Sequence, residues 1–254
     1  MHVLKEIIRA LVAFSIGAAL GYLTLYSAQK SSTQFPTIDE IQDSQNISQD
    51  LSREEYKAVE KSRMSAVRVL SISEESGYLA SSSGTYFTTK GKHYVLTVAH
   101  GLVGICEFTE IWADDQFYQC IEFVEFNVLI DYAIIEIEKI PSLRPLRIPQ
   151  DLPTNQNWKK TYSAQSKIFY TGFPNNTGPL TFDGRVIGYH DDDYLYINSF
   201  AWGGASGSGI FNVKGKLIGY ILAIDVGQTE FGVDVLENVI VIVPIFKIDW
   251  TTIL

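Results

Sequence analysis

Apolar and polar positions along this chain fall into three regimes. From Ala10 to Ala28 (ALVAFSIGAALGYLTLYSA), nineteen residues pass without a charge. Residues 29–50 (QKSSTQFPTIDEIQDSQNISQD) are polar, rich in Ser and Gln and only weakly periodic, the composition of a linker. Beyond them a short helical signal leads into a succession of short β-branched and aromatic runs.

The helical signal is Ser52 with Glu55 three residues later, a capping box that predicts a helix from Arg53 to Arg63. Strands are expected at Ala66 to Ser71, Gly84 to Thr88, His93 to Val98, Cys106 to Trp112, Phe117 to Glu125 and Tyr132 to Ile137. After a Pro-rich connection from Ile140 to Pro153 the pattern resumes at Lys167 to Thr171, Thr181 to Tyr189, Tyr194 to Asn198 and Gly209 to Val213. Lys216 to Ile224, Glu230 to Val233 and Val239 to Val243 complete it. Short strands punctuated by Gly, Asn and Asp turns predict an all-β domain, an antiparallel barrel or sandwich, and the Pro-rich break divides it into two halves.

Composition agrees with this and narrows the partners. With 14 Tyr, 14 Phe and 19 Gly, strands and turns are favoured over helices. The net charge is −9; Lys5, Arg9 and Glu6 contribute +1, so the rest of the chain carries −10. An acidic exterior argues against nucleic acid as the main partner, because phosphate binding needs clustered Lys and Arg.

The uncharged run explains how such a domain would be held. As a helix it is about 28 Å long, close to the hydrocarbon thickness of a bilayer. Lys5 and Arg9 precede it and Asp39, Glu40 and Asp43 follow, which puts the N-terminus in the cytoplasm and the domain on the periplasmic or extracellular side. The competing reading is a cleaved signal peptide, against which Tyr26 stands where a small residue is needed in Tyr26-Ser27-Ala28. The expected organisation is a cytoplasmic stub and transmembrane anchor (1–28), a linker (29–52) and a domain over 53–254, with halves at about 64–140 and 160–245.

Three motifs carry chemistry. Trp202-Gly203-Gly204-Ala205-Ser206-Gly207-Ser208-Gly209 sets a serine among glycines, where backbone N–H groups can surround a nucleophile and side chains do not obstruct it. Leu96-Thr97-Val98-Ala99-His100 ends an apolar strand in a histidine, and Asp131 opens the apolar strand Tyr132-Ala-Ile-Ile-Glu-Ile. Taken singly, each has a plain structural reading: a glycine-rich hairpin, a non-catalytic histidine, a turn acid. Together, in the order His, Asp, Ser and separated by 31 and 75 residues, they supply a nucleophile, a base and a group to orient the base.

These stretches resemble the trypsin-like (chymotrypsin-fold) serine proteases, nearest to the HtrA/Deg type and short bacterial or phage peptidases. Thr-Val-Ala-His100 resembles Thr-Ala-Ala-His, Asp131-Tyr-Ala-Ile-Ile-Glu-Ile resembles Asp-x-Ala-Leu-Leu, and Gly204-Ala-Ser206-Gly-Ser-Gly-Ile-Phe-Asn resembles Gly-Asn-Ser-Gly-Gly-x-Leu-x-Asn. Gly215-Lys-Leu-Ile-Gly219 and Tyr170-Thr-Gly172-Phe-Pro174 resemble the strand beside the nucleophile and the Gly-x-Pro segment of the second barrel.

The resemblance implies two packed six-stranded antiparallel β-barrels. It makes Ser206 the nucleophile, His100 the base and then acid, and Asp131 the group that fixes the imidazole tautomer. Backbone N–H groups of Gly204 and Ser206 become the oxyanion hole. It places Phe200, Ala201, Tyr220, Ile221 and Leu222 around a substrate pocket, and since none is charged the expected P1 residue is small or medium and apolar. With 48 residues after Ser206, no peptide-binding PDZ module is expected. Ala205 replaces the acid that digestive relatives use in zymogen activation, and Ser208, where many relatives have glycine, is an alternative nucleophile.

Other features stay in the background. His190-Asp191-Asp192-Asp193 reads as an acidic hairpin turn, with no metal expected, and His93 as a strand residue near the surface. Cys106 and Cys120 flank the turn at Ala113-Asp114-Asp115, and whether they pair is left open by their spacing. The function expected is a membrane-anchored serine endopeptidase acting without a cofactor on protein or peptide substrates. A catalytically inactive peptide-binding module is the second reading.

Overall fold

The computed structural model describes residues 47–48, 50–154, 156, 158–190, 192–229 and 232–254. The expected anchor and most of the linker lie outside them; among the described residues no helix is long and apolar enough to cross a membrane. Helix α1 (Arg53–Ser65) opens on the expected capping box, with Ser52 Oγ accepting from the Glu55 N–H at 3.3 Å and Glu55 Oε2 accepting from the Ser52 N–H at 3.0 Å. These reciprocal bonds satisfy two donors that a helix start would leave unpaired. Ala58 and Val59 of α1 bury against Phe169, and Ser62 donates to Thr171 Oγ1 at 2.8 Å, so the helix leading into the first half rests on the second.

The first half comprises β1 (Ala66–Ile72), β2 (Leu79–Thr89), β3 (Lys92–Thr97), β4 (Thr109–Ala113), β5 (Gln116–Asn127) and β6 (Tyr132–Ile137). Their order is β1-β4-β5-β6-β3-β2, and β2 pairs back onto β1 to close a six-stranded antiparallel barrel. A two-residue strand β7 (Leu146–Arg147) adds in parallel to β2. A single-turn helix α2 (Trp158–Thr161) then leads to β8 (Lys167–Gly172), β9 (Leu180–Tyr189), β10 (Leu195–Asn198), β11 (Gly209–Asn212), β12 (Leu217–Thr229) and β13 (Gly232–Pro244). These form a second closed barrel in the order β10-β13-β12-β11-β8-β9.

Strand periodicity explains how two barrels share one molecule. On β3, Val95 points into the first barrel while Tyr94 and Leu96 point out of it, and on β6 Ala133 and Ile135 alternate with Tyr132 and Ile134. The outward sets meet Phe211, Leu217, Tyr220 and Val243 of the second barrel in a core between the two. Strands apolar on both faces, such as Tyr132–Ile137, are those that line a barrel and the seam together.

The strand pattern departs from expectation where backbone pairing continues through polar sequence. Strand β2 starts at Leu79 rather than Gly84, because Ser81, Ser82 and Ser83 pair in register with Leu70, Val69 and Arg68. Glu230 and Phe231 of the run expected at Glu230 to Val233 lie outside the described residues; its remainder, Gly232 and Val233, and the run expected at Val239 to Val243 belong to one strand, β13, paired with β12. Cys106–Phe108 is a 3-10 turn, so β4 begins at Thr109.

Candidate active site

His100 is delivered by the end of β3. After Val98 the chain enters a one-turn 3-10 helix, Ala99–Gly101, whose Ala99 and Gly101 are buried while the His100 side chain is 53% exposed. A base can therefore sit on rigid backbone and still meet solvent or substrate.

Asp131 reaches it from the turn before β6. There the Asn127 side chain accepts from the Leu129 and Ile130 N–H groups, each at 3.0 Å, and Asp131 takes a left-handed conformation with φ +61°. The Tyr220 hydroxyl, from β12 of the other barrel, donates to the Ile130 carbonyl at 2.9 Å. Burial holds this phenol well above its ordinary pKa, so it remains a neutral donor pinning the segment that carries Asp131.

The Asp131 carboxylate grips His100 at two points. Oδ2 lies 2.5 Å from Nδ1, and Oδ1 accepts from the His100 backbone N–H at 2.8 Å. A carboxylate at Nδ1 places the ring proton there, which leaves Nε2 as the acceptor that a general base needs. The Asp131 side chain is 20% exposed, so its charge is partly removed from water while both oxygens hold hydrogen-bond donors.

The glycine-rich stretch lies in the turn before β11 and docks on the first barrel. Ser83 N–H donates to the Ser206 carbonyl at 2.8 Å, and Thr97 Oγ1 donates to the Ser83 carbonyl at 2.7 Å, only three residues before His100. Gly207 has φ +88°, and a Cβ on it would fall 2.0 Å from the Ser83 carbonyl oxygen. The approach that brings the serine toward the histidine-bearing strand therefore requires glycine.

Backbone N–H groups around Ser206 divide into two sets. Those of Ala205, Gly207 and Ser208 donate to the carbonyls of Trp202, Ile221 and Ala205. Among the described residues, those of Gly204 and Ser206 donate to no protein acceptor. Gly204 has φ +93°, where a Cβ would lie 2.7 Å from the Phe173 carbonyl oxygen. Two free donors flanking a serine are the arrangement that stabilises a developing oxyanion. Among the described residues the Ser206 hydroxyl makes no hydrogen bond to His100; such bonds are often long without substrate and tighten when it binds.

Ser208 is placed differently. It is fully buried, and among the described residues its Oγ has no hydrogen-bond partner. A Cβ on Gly172 would lie 2.1 Å from that oxygen, so the hydroxyl fills space that the neighbouring glycine leaves open.

The expected pocket residues divide by burial. Ala201 and Ile221 lie in the core of the second barrel and Tyr220 in the core between barrels. Leu222 is half-buried against that shared core. Phe200 is exposed and its ring stacks on Trp202 with centroids 6.1 Å apart. A cavity of about 250 Å³ at the β9–β10 turn is lined by Tyr162, Tyr189, His190, Tyr194 and Phe246, and none of His100, Asp131 and Ser206 lines it.

Cys106 and Cys120 form a disulfide, Cα–Cα 5.3 Å, tying the loop after His100 to β5. His190 lies at the β9–β10 turn with Nδ1 3.6 Å from Asp192 Oδ2, and among the described residues no group of three or more His, Cys, Asp or Glu side chains is placed to hold a metal. His93, on β3, has Nδ1 2.7 Å from the Tyr86 hydroxyl, and burial lowers its pKa. The residue that sequence reasoning missed is Ser83. Its signal was the polar run Ser81-Ser82-Ser83 ahead of Gly84, which does not alternate as an apolar strand would.

Known proteins resemble the chain at the level of family and fold. A family model described as the trypsin-like peptidase domain matches residues 80–219, more than half of the chain. No curated protein matches it. Among solved structures, the active form of the Rv3671c protease from M. tuberculosis is similar with a TM-score of 0.56 and 16% identity, over 74% of this chain and 79% of that one. A serine endoprotease from Yersinia pestis is similar with a TM-score of 0.57 and 20% identity, over 77% of this chain. The match covers 64% of the Yersinia chain, less than two thirds of its length.

Proposed function

The chain belongs to the trypsin-like peptidase domain family, and on that footing we propose that it is a serine endopeptidase, held at a membrane by residues 10–28, that cleaves flexible or unfolded protein segments through an acyl-enzyme. The observation that carries this reading is the two-point grip of Asp131 on His100, which commits Nδ1 and leaves Nε2 as a base.

In the proposed cycle Ser206 Oγ attacks the scissile carbonyl carbon and its proton passes to His100 Nε2. The carbonyl oxygen becomes an oxyanion, for which the N–H groups of Gly204 and Ser206 are the donors. As the tetrahedral intermediate collapses, the C–N bond breaks, the amine takes the proton from His100, and Ser206 is left acylated. Water then adds, giving a proton to His100, and release of the carboxylic acid returns it to Ser206. No cofactor enters the cycle.

Support for the remaining parts comes from the sequence. The uncharged run with Lys5 and Arg9 before it favours an anchor with the catalytic domain outside the cytoplasm, where a disulfide such as Cys106–Cys120 persists. Uncharged Phe200 and Leu222 favour a small or medium apolar P1 residue. A peptide-library digest tests this: wild type cleaves after apolar residues and Ser206→Ala does not cleave. A profile led by basic P1 residues would contradict the pocket, and cleavage by the alanine variant would contradict the nucleophile. Resistance of the full chain to carbonate extraction from membranes tests the anchor.

A further inference from the structure

The side chain of Ser83 occupies a junction that the peptidase reading leaves unused. It sits on β2 of the first barrel, fully buried, yet both hydrogen bonds of its side chain cross to the second barrel. Its Oγ donates to the Gly204 carbonyl at 2.7 Å and accepts from the Phe173 N–H at 2.9 Å. Its backbone N–H donates to the Ser206 carbonyl at 2.8 Å and its carbonyl accepts from Thr97 Oγ1 at 2.7 Å. One residue thus holds the carbonyls of Gly204 and Ser206, the two residues whose own N–H groups are free among the described residues, and ties them to the strand that delivers His100.

Because each peptide plane is rigid, fixing the plane that follows a residue limits, through that residue's φ and ψ, where its own N–H can point. The Gly204 carbonyl belongs to the peptide joining Gly204 to Ala205, and holding it restrains the ψ of a residue already at φ +93°. Glycine has little intrinsic preference for that conformation, so an external contact must select it. The Phe173 N–H bond restrains the opposite wall, since Phe173 O is the atom that a Cβ on Gly204 would meet, and Asn175 N–H donates to the Gly203 carbonyl at 2.7 Å.

We propose that the Ser83 hydroxyl is a positioning residue for the oxyanion hole, holding the Gly204 carbonyl toward the first barrel so that the Gly204 N–H stays presented to the developing oxyanion. It acts through Gly204 and does not touch substrate. This rests on the serine-peptidase reading of the same site. An apolar residue at position 83 would keep the barrel closed and still allow the Gly204 peptide to rotate.

The test compares wild type, Ser83→Ala and Ser83→Thr. Competent serines are counted by fluorophosphonate titration run to completion, and kcat, KM and inhibition by a peptide aldehyde are measured per titrated site. The aldehyde adduct carries an oxyanion that needs the same donors. In Ser83→Ala, kcat falls about 10- to 100-fold with KM within about threefold, and aldehyde affinity falls in parallel. Ser83→Thr, which keeps the hydroxyl, restores both. Ser83→Cys, which fills the site with a weak donor, carries the same prediction as alanine should that variant not fold. A kcat and aldehyde affinity unchanged per titrated site in Ser83→Ala would overturn the proposal, as would equal losses in the alanine and threonine variants. Wild type that neither titrates nor hydrolyses would overturn the peptidase reading itself, a failure told apart because it precedes any substitution.

Discussion

Asp131 holds His100 through two atoms at once, Oδ2 at 2.5 Å from the ring Nδ1 and Oδ1 at 2.8 Å from the backbone N–H. Two contacts fix both the ring and the main chain that carries it, so the imidazole cannot turn without breaking one of them. Asp131→Asn offers an amide nitrogen to one of these donors and loses the negative charge that stabilises a protonated ring. Peptide hydrolysis should fall by about 10⁴-fold with the fold intact. Steady-state kinetics alongside a thermal melt will check this, and a loss below about tenfold would mean that His100 does not rely on Asp131.

The two serines of the glycine-rich stretch separate cleanly. Ser208 buries an oxygen with no partner among the described residues, which costs stability that alanine would recover. Ser208→Ala should leave hydrolysis within about twofold of wild type and raise the melting temperature by about 2 to 4 °C, the effect of about 1 kcal/mol in a domain of this size. A large loss of activity would return Ser208 to consideration as a nucleophile.

The disulfide closes a loop with its cysteines 14 residues apart. Constraining the unfolded chain over that span is worth about 3 kcal/mol. Cys106→Ser with Cys120→Ser should therefore lower the melting temperature by about 6 to 12 °C in calorimetry. Because the bridge takes no part in the contacts between Asp131 and His100, hydrolysis at temperatures well below the melt should change less than stability does. Equal melting temperatures with and without the bridge would contradict the pairing.

The start of α1 carries a pH-dependent contact. Glu55 accepts from Lys167 Nζ at 2.9 Å and from Ser52, and these bonds pull its pKa from 4.5 down to about 2. A carboxylate with a depressed folded-state pKa stabilises the fold above the unfolded value, and that contribution is lost as pH falls through the folded one. Glu55→Gln should therefore melt below wild type at pH 7, with a gap that narrows as pH drops from about 4.5 toward 2. A gap that stays constant over melts at pH 7, 4 and 3 would assign the effect to packing.

Much of this architecture was legible because strand burial writes itself as alternation. Tyr132–Ile137 was read at its true bounds, since both faces of that strand are buried and turn residues bracket it. The first half of β2 was not, because Ser81, Ser82 and Ser83 gain their place from pairing with β1 and from contacts across the two barrels, which no local pattern encodes. The junction of β13 escaped for a related reason: Glu237 and Asn238 interrupt the apolar run without interrupting the strand.

The site shows the same division. His100 and Asp131 could be named from strand ends, and the structure joins them by distances that the sequence could only imply. The residues expected around a pocket rest on register alone, and register does not report depth: Ala201, Tyr220 and Ile221 face cores while Phe200 faces out. The disulfide depended on the 3-10 turn at Cys106–Phe108, which brings two cysteines within reach and has no signature in their spacing.

The central claim, that Ser206 is a nucleophile activated by His100, is tested most directly by fluorophosphonate labelling read by intact mass. Wild type should gain one adduct, mapped to Ser206 by peptide sequencing, at a rate that falls when His100 is replaced by alanine, and Ser206→Ala should gain none. An unlabelled wild type, or an adduct that persists in Ser206→Ala, would contradict it.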